Sequence, residues 1–421
     1  MEILENVIWN YLTIPLLFTI SLFFTVKLKA PQLNLKKMFG ALLKKTDKES
    51  LSPVATLFVA LSARVGVGTL AGTGLAIAVG GLGAIFWMWV SATITAAATF
   101  AENTLAQTFK RHKNDETYGG PAFYIQYGLK RKKLAALYAI ILIITYSLGF
   151  VAVQMNTLTV VLHTHTALPP MIIGLLLVGI TVLTIGGSIK KISGFIAKII
   201  PFIALAFFTM ALMTLIGAFN QIPLFFTTIL TQAFGAGELI GGGIGIALTT
   251  GIKRGIFSNE AGLGTGAHAA ALTEHEDPKE QGYIGVLGIY LTTLVSITLV
   301  AFMIFSAEAH TAVTLKGNGI EFLTYAMHHH FGITARAILP LTIFFFGFST
   351  VITAYLYGLM NIKFLTTNPI ATTAFKSVLL IIIFLAANTA ATTIWRLVDT
   401  GVAITAIINL TAIFLLRHHI K

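Results

Sequence analysis

The 421-residue sequence contains no cysteine, which excludes disulfides, thiolate nucleophiles and cysteine-ligated metals. Charge is almost as scarce. Acids and bases make up 10% of the chain, against roughly 25% for a water-soluble domain, so a fold with its whole surface in water is excluded. There is no P-loop, zinc-ligand pair or nucleophile elbow. The Gly-x-Gly at Gly66 and Gly68 lacks the preceding strand and third glycine of a dinucleotide fingerprint. No organic cofactor is expected. What abounds is apolar: 56% of residues are hydrophobic and 38 are glycine. This composition is that of an all-α polytopic membrane protein.

Apolar runs separated by charges, amides and Gly/Pro clusters mark about eleven transmembrane helices. They fall at 9–27, 52–78, 84–109, 134–162, 169–187, 193–218, 236–262, 281–307, 333–361, 370–391 and 394–416. Basic residues test this layout, because positive charge collects on the cytoplasmic side. Seven lysines lie from Lys27 to Lys48 and seven Lys/Arg from Lys110 to Lys133. Then come Lys190, Lys191 and Lys198; Lys253, Arg254 and Lys279; Lys363 and Lys376; Arg417 and Lys421. The intervening segments are free of Lys and Arg, except for Lys316 in the 308–332 loop. Every second loop is basic, which predicts an outside N-terminus, a cytoplasmic C-terminus and a single membrane domain over 1–421. The net charge of +12 is thus a topological signal, and no nucleic-acid partner is expected. Glu2 and Glu5 precede the first apolar run where a signal peptide would be basic, so that run reads as a retained helix.

Two spans do not read as ordinary helices. The first contains Ser62-Ala63-Arg64-Val65-Gly66-Val67-Gly68-Thr69, and the second runs through Gly251 into Phe257-Ser258-Asn259-Glu260-Ala261-Gly262-Leu263-Gly264. Each glycine weakens a helix by about 1 kcal/mol relative to alanine, and clusters at membrane depth favour unwinding where freed backbone lines a cavity. Close helix packing through Gly68-x-x-x-Gly72 is the competing explanation. Position favours unwinding, because the two spans are second and seventh of eleven and each opens a block of five helices. The blocks, 52–218 and 236–416, then have opposite orientation, with 9–27 as an extra N-terminal helix. That is the layout of inverted-repeat secondary transporters, whose half-helix amino ends attract a carboxylate and whose unwound carbonyls hold a cation. A zwitterion matches such a site.

These residues resemble the alanine or glycine:cation symporters, also called the sodium:alanine symporter family. The resemblance is carried by Gly80-Gly81-Leu82-Gly83-Ala84-Ile85-Phe86-Trp87-Met88-Trp89-Val90, Ala101-Glu102 with Leu105-Ala106, Gly119-Gly120-Pro121-Ala122, and above all Lys253-Arg254-Gly255-Ile256-Phe257-Ser258-Asn259-Glu260-Ala261-Gly262-Leu263-Gly264 with Ala269-Ala270-Ala271. Phe348-Ser349-Thr350 and Trp395 with Asp399 also fall where the family has similar residues. The resemblance covers nearly the whole chain and implies a LeuT-like five-plus-five inverted repeat. It places the substrate carboxylate at the backbone of Gly66, Val67, Gly68 and Thr69, with Phe257 and Ser258 at the second break and amides from Gln154 and Asn156. A sodium ion would lie between the carbonyls of Ser62 and Val65 and the hydroxyls of Ser349 and Thr350. Back-bonding of those hydroxyls to their own helix is the alternative.

Val67 and Thr69 stand where the family pattern has a hydroxyl and an amide, and Ala354 where many members carry tryptophan, which would enlarge the pocket. Arg64, Glu260 and His268 are candidates for coupling or gating. An arginine near the bilayer centre costs roughly 2.5–3.5 kcal/mol unless paired or wet, so Arg64 either stands in for a cation beside Glu260 or Glu102 or snorkels to water. Glu102 and Asp399 read as helix ties near the membrane surfaces, the latter to Arg396. His268 reads more readily as a buried structural histidine.

The expected function is import of a small neutral amino acid, of the alanine or glycine class, with sodium by alternating access across a prokaryotic plasma membrane. The partners are then the amino acid, sodium and the lipid bilayer. The alternatives are a sodium-independent or proton-coupled transporter in which Arg64 replaces the cation, and a non-transporting amino-acid receptor. An enzyme is the weakest reading, because no nucleophile is matched with a base.

Overall fold

The computed structural model describes residues 7–44, 50–113, 116–235, 243–312, 319–389 and 391–420. They are almost wholly helical. In chain order the main helices are α1 (Ile8–Lys27), α2 (Leu35–Leu42), α3 (Pro53–Arg64), α4 (Val67–Gly80), α5 (Gly83–Phe109), α6 (Lys132–Thr166), α7 (Pro170–Thr184), α8 (Ile189–Gly217), α9 (Ile222–Ala233), α10 (Gly243–Asn259), α11 (Gly266–Ala270), α12 (Lys279–Ser306), α13 (Ile320–Phe331), α14 (Ala335–Leu365), α15 (Pro369–Ala386) and α16 (Ala391–Leu415). A small antiparallel hairpin, β1 (Arg111–Lys113) and β2 (Glu116–Tyr118), follows α5.

Eight helices among the described residues are long and apolar enough to cross a membrane, or nine if the bent pair α3 and α4 is one span. The remaining two of the eleven expected spans are α7, whose 15 residues fall short of the roughly 20 a straight crossing needs, and α10, described from Gly243 to Asn259. Part of the expected span 236–262 and Lys316 lie outside the described residues.

Local chemistry explains where these helices begin. Ser52 caps α3 by accepting the Ala55 N–H (3.1 Å), and Pro53 fills the first position, where its missing donor is harmless. Asn368 and Pro369 repeat the device at α15.

The core sits around α5, which packs against α1, α9, α10 and α12. Ala92, Ala96, Ala97, Ala98 and Ala101 are fully buried along it. The facing helices meet these small residues with glycines. A Cβ on Gly255 would lie 2.9 Å from Ser91 Oγ, and one on Gly282 would lie 2.8 Å from the Phe100 ring. This is small-residue packing, in which close backbone approach supplies the van der Waals contact that hydrophobic driving force cannot supply in lipid. α14 forms a second centre, flanked by α3, α6 and α8. By contrast α7, α9 and α15 keep large apolar side chains exposed, such as Leu175, Leu176, Leu224, Ile370 and Ile381, the surface expected against lipid tails.

One placement departs from the charge pattern. Arg254, grouped by sequence with a cytoplasmic loop, lies within α10 with 6% of its surface exposed. Its guanidinium meets Asp399 of α16 in an ion pair. A basic residue with a buried acid 145 positions away is indistinguishable, in sequence, from one in a loop.

Candidate functional site

Both suspect spans are broken, and they lie against each other. The first break is two residues wide. Val65 (φ −88°, ψ 78°) and Gly66 (φ −127°, ψ −159°) leave helical geometry, and α4 sets off at 45° to α3. The carboxamide of Gln154 on α6 accepts the Val67 N–H at 2.9 Å, so a side-chain oxygen already occupies the amino end of α4. Thr350 on α14 donates to the Ser62 carbonyl at 2.8 Å and shares its proton with the Phe346 carbonyl. Gly66 tolerates nothing larger, since a Cβ would collide with Thr350 Oγ1 and lie 3.1 Å from Gln154 Oε1.

The second break is longer. α10 ends at Asn259, whose side chain accepts the Ala261 N–H at 3.0 Å, and Glu260, Gly262 and Gly264 all take positive φ (59°, 78° and 79°) before α11 begins. Glycine adopts that conformation freely, whereas Glu260 is held in it at a cost of about 1–3 kcal/mol. Its carboxylate accepts from Tyr146 (2.6 Å) and Thr265 (2.7 Å). Glu102 of α5 accepts the Gly264 N–H (3.1 Å) and the Asn409 amide (2.8 Å), Asn409 also donates to the Gly262 carbonyl (2.9 Å), and Tyr138 donates to the Leu263 carbonyl (2.5 Å). Tyr124 donates to the Asn409 oxygen. Glu102, expected near a membrane surface, is therefore fully buried and clasps the second break.

Contacts between the breaks are direct. Thr69 Oγ1 lies 2.7 Å from Ser258 Oγ and bonds the Arg64 carbonyl at 2.8 Å. The α4 backbone rides on Phe257, whose ring lies 2.8 Å from the place of a Gly68 Cβ. Phe257 stacks on Phe150 (centroids 4.3 Å apart, planes 8° apart) and touches Trp395 at 4.6 Å. Beyond Trp395 sits the Arg254–Asp399 pair, with the guanidinium 4.8 Å over the indole.

Gly66, Val67, Gly68, Thr69, Gln154, Phe257 and Ser258 thus converge on one locus. Asn156 does not. Its amide donates to the carbonyls of Ala386 (3.0 Å) and Thr389 (2.7 Å), capping the end of α15. Among the cation candidates, Ser62 and Thr350 meet. Ser349 donates to the Phe346 carbonyl (2.9 Å) of its own helix, and Val65 lines an apolar cavity of about 110 Å³ with Phe58, Leu61, Phe207 and Phe346. Thr353, one turn beyond Ser349, brings its hydroxyl within 2.5 Å of Ser62 Oγ, a contact that no motif signals.

Arg64 is 1% exposed, so it does not reach water. Its guanidinium crosses to the far side of the second break, donates to the Gly285 carbonyl at 3.3 Å and fits between Gly266 and Gly288. Nε and Nη2 find no acceptor among the described residues, and neither Glu102 nor Glu260 comes within ion-pair distance, although both carboxylates feel its charge. His268 lies in α11, stacked on Tyr357 (5.1 Å), with Nε2 2.8 Å from the Asn361 amide and Nδ1 3.1 Å from the Thr265 carbonyl. Both ring nitrogens have partners, as a structural histidine requires. Asp399 pairs with Arg254, a partner the sequence does not suggest, and its carbonyl accepts the Trp9 indole N–H at 3.1 Å.

Known proteins share this architecture. The fold is similar to that of a Na+-coupled sialic acid symporter solved in a substrate-bound outward-open state (TM-score 0.55, 10% identity, 95% of this chain and 86% of that one). In sequence, the chain is 34% identical to the probable sodium/glutamine symporter GlnT of Bacillus subtilis, over 98% of this chain and 87% of the relative. It is 32% identical to the sodium/proton-dependent alanine carrier protein of Bacillus sp. strain PS3, over 88% and 87%. The model of the sodium:alanine symporter family matches residues 1–421, and the chain belongs to that family.

Proposed function

We propose that this chain is a sodium-coupled amino-acid transporter, not an enzyme, and that it carries a small neutral amino acid inward by alternating access between two inverted five-helix repeats, 52–218 and 236–416. The observation that carries this reading is the meeting of the two breaks, where Thr69 touches Ser258 and Gly68 lies on Phe257. At that locus the amino end of α4 offers N–H groups and a positive dipole end to a carboxylate, with Gln154 as the oxygen a substrate would displace from Val67. The Phe257 ring, backed by Phe150 and Trp395, suits a short aliphatic side chain. Sodium, as a co-transported ion, fits the hard oxygens of the Ser62 carbonyl and the Thr350 hydroxyl, with Val65, Ser349 and Thr353 within a turn of them.

The names of the relatives, covering glutamine and alanine, bracket the substrate class, and Ala354 in place of a bulkier residue favours tolerance of more than alanine and glycine. The alternation of basic loops supports an outside N-terminus and a cytoplasmic C-terminus.

Uptake of labelled alanine, glycine and glutamine into proteoliposomes tests this. Accumulation driven by an imposed inward sodium gradient and lost in Thr350→Val is the expected result, and binding without accumulation would replace transport with a receptor role. A second reading is sodium-independent or proton-coupled transport. It rests on the buried Arg64 guanidinium, a fixed cation lodged between Gly266 and Gly288 with two nitrogens that lack acceptors among the described residues. Strict sodium dependence that is lost in Thr350→Val and unchanged in Arg64→Gln would remove that reading.

A further inference from the structure

The transport locus leaves a second chemical feature unexplained, at the junction of α1, α2 and α12. An open cavity of about 750 Å³ there is lined by six lysines, Lys27, Lys29, Lys36, Lys37, Lys44 and Lys279, against two acids, Asp277 and Glu280. The acids do not neutralise it. Glu280 already holds Lys44 at 3.1 Å and His275 at 2.6 Å, and Asp277 accepts the Lys279 backbone N–H at 3.0 Å. Among the described residues Lys29, Lys36 and Lys279 have no acidic partner, and Lys37 faces only the Tyr283 ring at 5.6 Å. Like charges gathered in a concavity repel, so the arrangement favours an anion that ties several of them together.

α2 identifies what kind of anion. Asn34 caps it by accepting the Lys37 N–H (3.1 Å), and Met38 and Ala41 bury its inner edge. Helical geometry then puts Lys36, Lys37 and Gly40 on the cavity side, where Lys44 joins them just past the helix, and Leu35 and Phe39 on another, continued by the capping Leu43. Those three apolar residues are 55%, 56% and 84% exposed. A short helix with one basic and one exposed apolar face lies in the plane of a membrane interface. A free phosphate would satisfy the lysines and leave the apolar face bare. A lipid covers both.

We propose that this cavity binds the headgroup of an anionic phospholipid, with the phosphate held by Lys36, Lys37 and Lys279 and the acyl chains against Leu35, Phe39 and Leu43. The proposal is independent of the transported substrate. Each lysine near an anionic lipid surface contributes about 1 kcal/mol, or roughly fivefold in affinity.

Native mass spectrometry of the full detergent-solubilised chain, titrated with phosphatidylglycerol, phosphatidylcholine of the same chains and inorganic pyrophosphate, tests it. Phosphatidylglycerol should bind at least about tenfold more tightly than phosphatidylcholine, Lys36→Gln should weaken it about fivefold, and Lys36→Gln/Lys37→Gln/Lys279→Gln about 100-fold. The control Lys130→Gln/Lys132→Gln/Lys133→Gln removes the same charge from an exposed cluster outside the cavity and should change binding less than twofold. Equal losses in both triple variants, no preference over phosphatidylcholine, or pyrophosphate competing at equal concentration would each overturn the proposal.

Discussion

The two breaks solve the same problem by opposite means. At the first, two residues leave the helix, and the exposed backbone is met by neutral groups borrowed from other helices, the Gln154 amide and the Thr350 hydroxyl. At the second, the chain from Glu260 to Thr265 is stitched by a carboxylate, two tyrosines and an asparagine from α5, α6 and α16. Neutral partners are exchangeable for a ligand at little cost, because a typical intramolecular hydrogen bond nets only about 1 kcal/mol. Buried charges are not, because removing a partner strands the rest. In the proposed transport cycle the first break is the one suited to open toward cargo, and the second the one suited to keep its shape.

Variants should separate these roles. The largest effect belongs to the second break. Glu102→Ala strips the Gly264 N–H and the Asn409 amide of their acceptor, so thermal unfolding in detergent should show a loss of about 3–5 kcal/mol for two stranded buried donors. A loss below about 1 kcal/mol would erase the contrast. Glu260→Ala removes the acceptor for Tyr146 and Thr265, and should cost about 1–3 kcal/mol whether or not substrate is present. Gly66→Ala at the first break forces a Cβ into Thr350 and Gln154. Overpacking of about 1–3 kcal/mol should fall on the uptake rate, a drop of tenfold or more, with a smaller change in melting temperature than Glu260→Ala. Gln154→Ala should lower stability by about 1 kcal/mol and raise the KM for uptake more than it lowers the maximal rate.

A water-facing ion pair supplies the smallest effect and a baseline. Glu116 on β2 accepts from Lys363 at 2.7 Å, from Tyr118 and from the Ile189 N–H at 3.0 Å. Burial pushes its carboxyl up, but these donors outweigh it and hold the group below the usual carboxylate value. A depressed folded pKa stabilises above the ordinary value of about 4.3 and is lost as pH falls through the lower folded value. The melting-temperature difference between the wild type and Glu116→Gln should be flat from pH 8 to 5 and shrink below that, with an amplitude of about 0.5 kcal/mol.

Much of this was legible in the residues. Gly66 and Gly68, and the glycines around Gly262, announce both breaks, because a glycine cluster in an apolar run has few other uses. Gln154 and Asn156 both read as site amides, yet residues two apart on a helix point about 200° apart, and only Gln154 faces the break. Glu102 reads in sequence as a helix tie near a membrane surface; it does tie α5 to α16, but at the buried second break, because its partners Gly264 and Asn409 are 162 and 307 positions away. Tyr138, Tyr146 and Asn409 gave no sign of their role. A lone polar residue in an apolar helix shows no periodicity, and only the packed structure reveals which backbone it serves.

Arg64 gives the comparison a mechanical side. Its backbone ends α3, while its guanidinium is keyed into the notch between Gly266 and Gly288. The side chain acts as a dowel between the first broken helix and the segment after the second break. Any rocking motion must then carry α3 and α11 as one lever or withdraw the dowel. In the proposed cycle the contact free to slip is the one where Thr69 and Ser258 meet hydroxyl to hydroxyl.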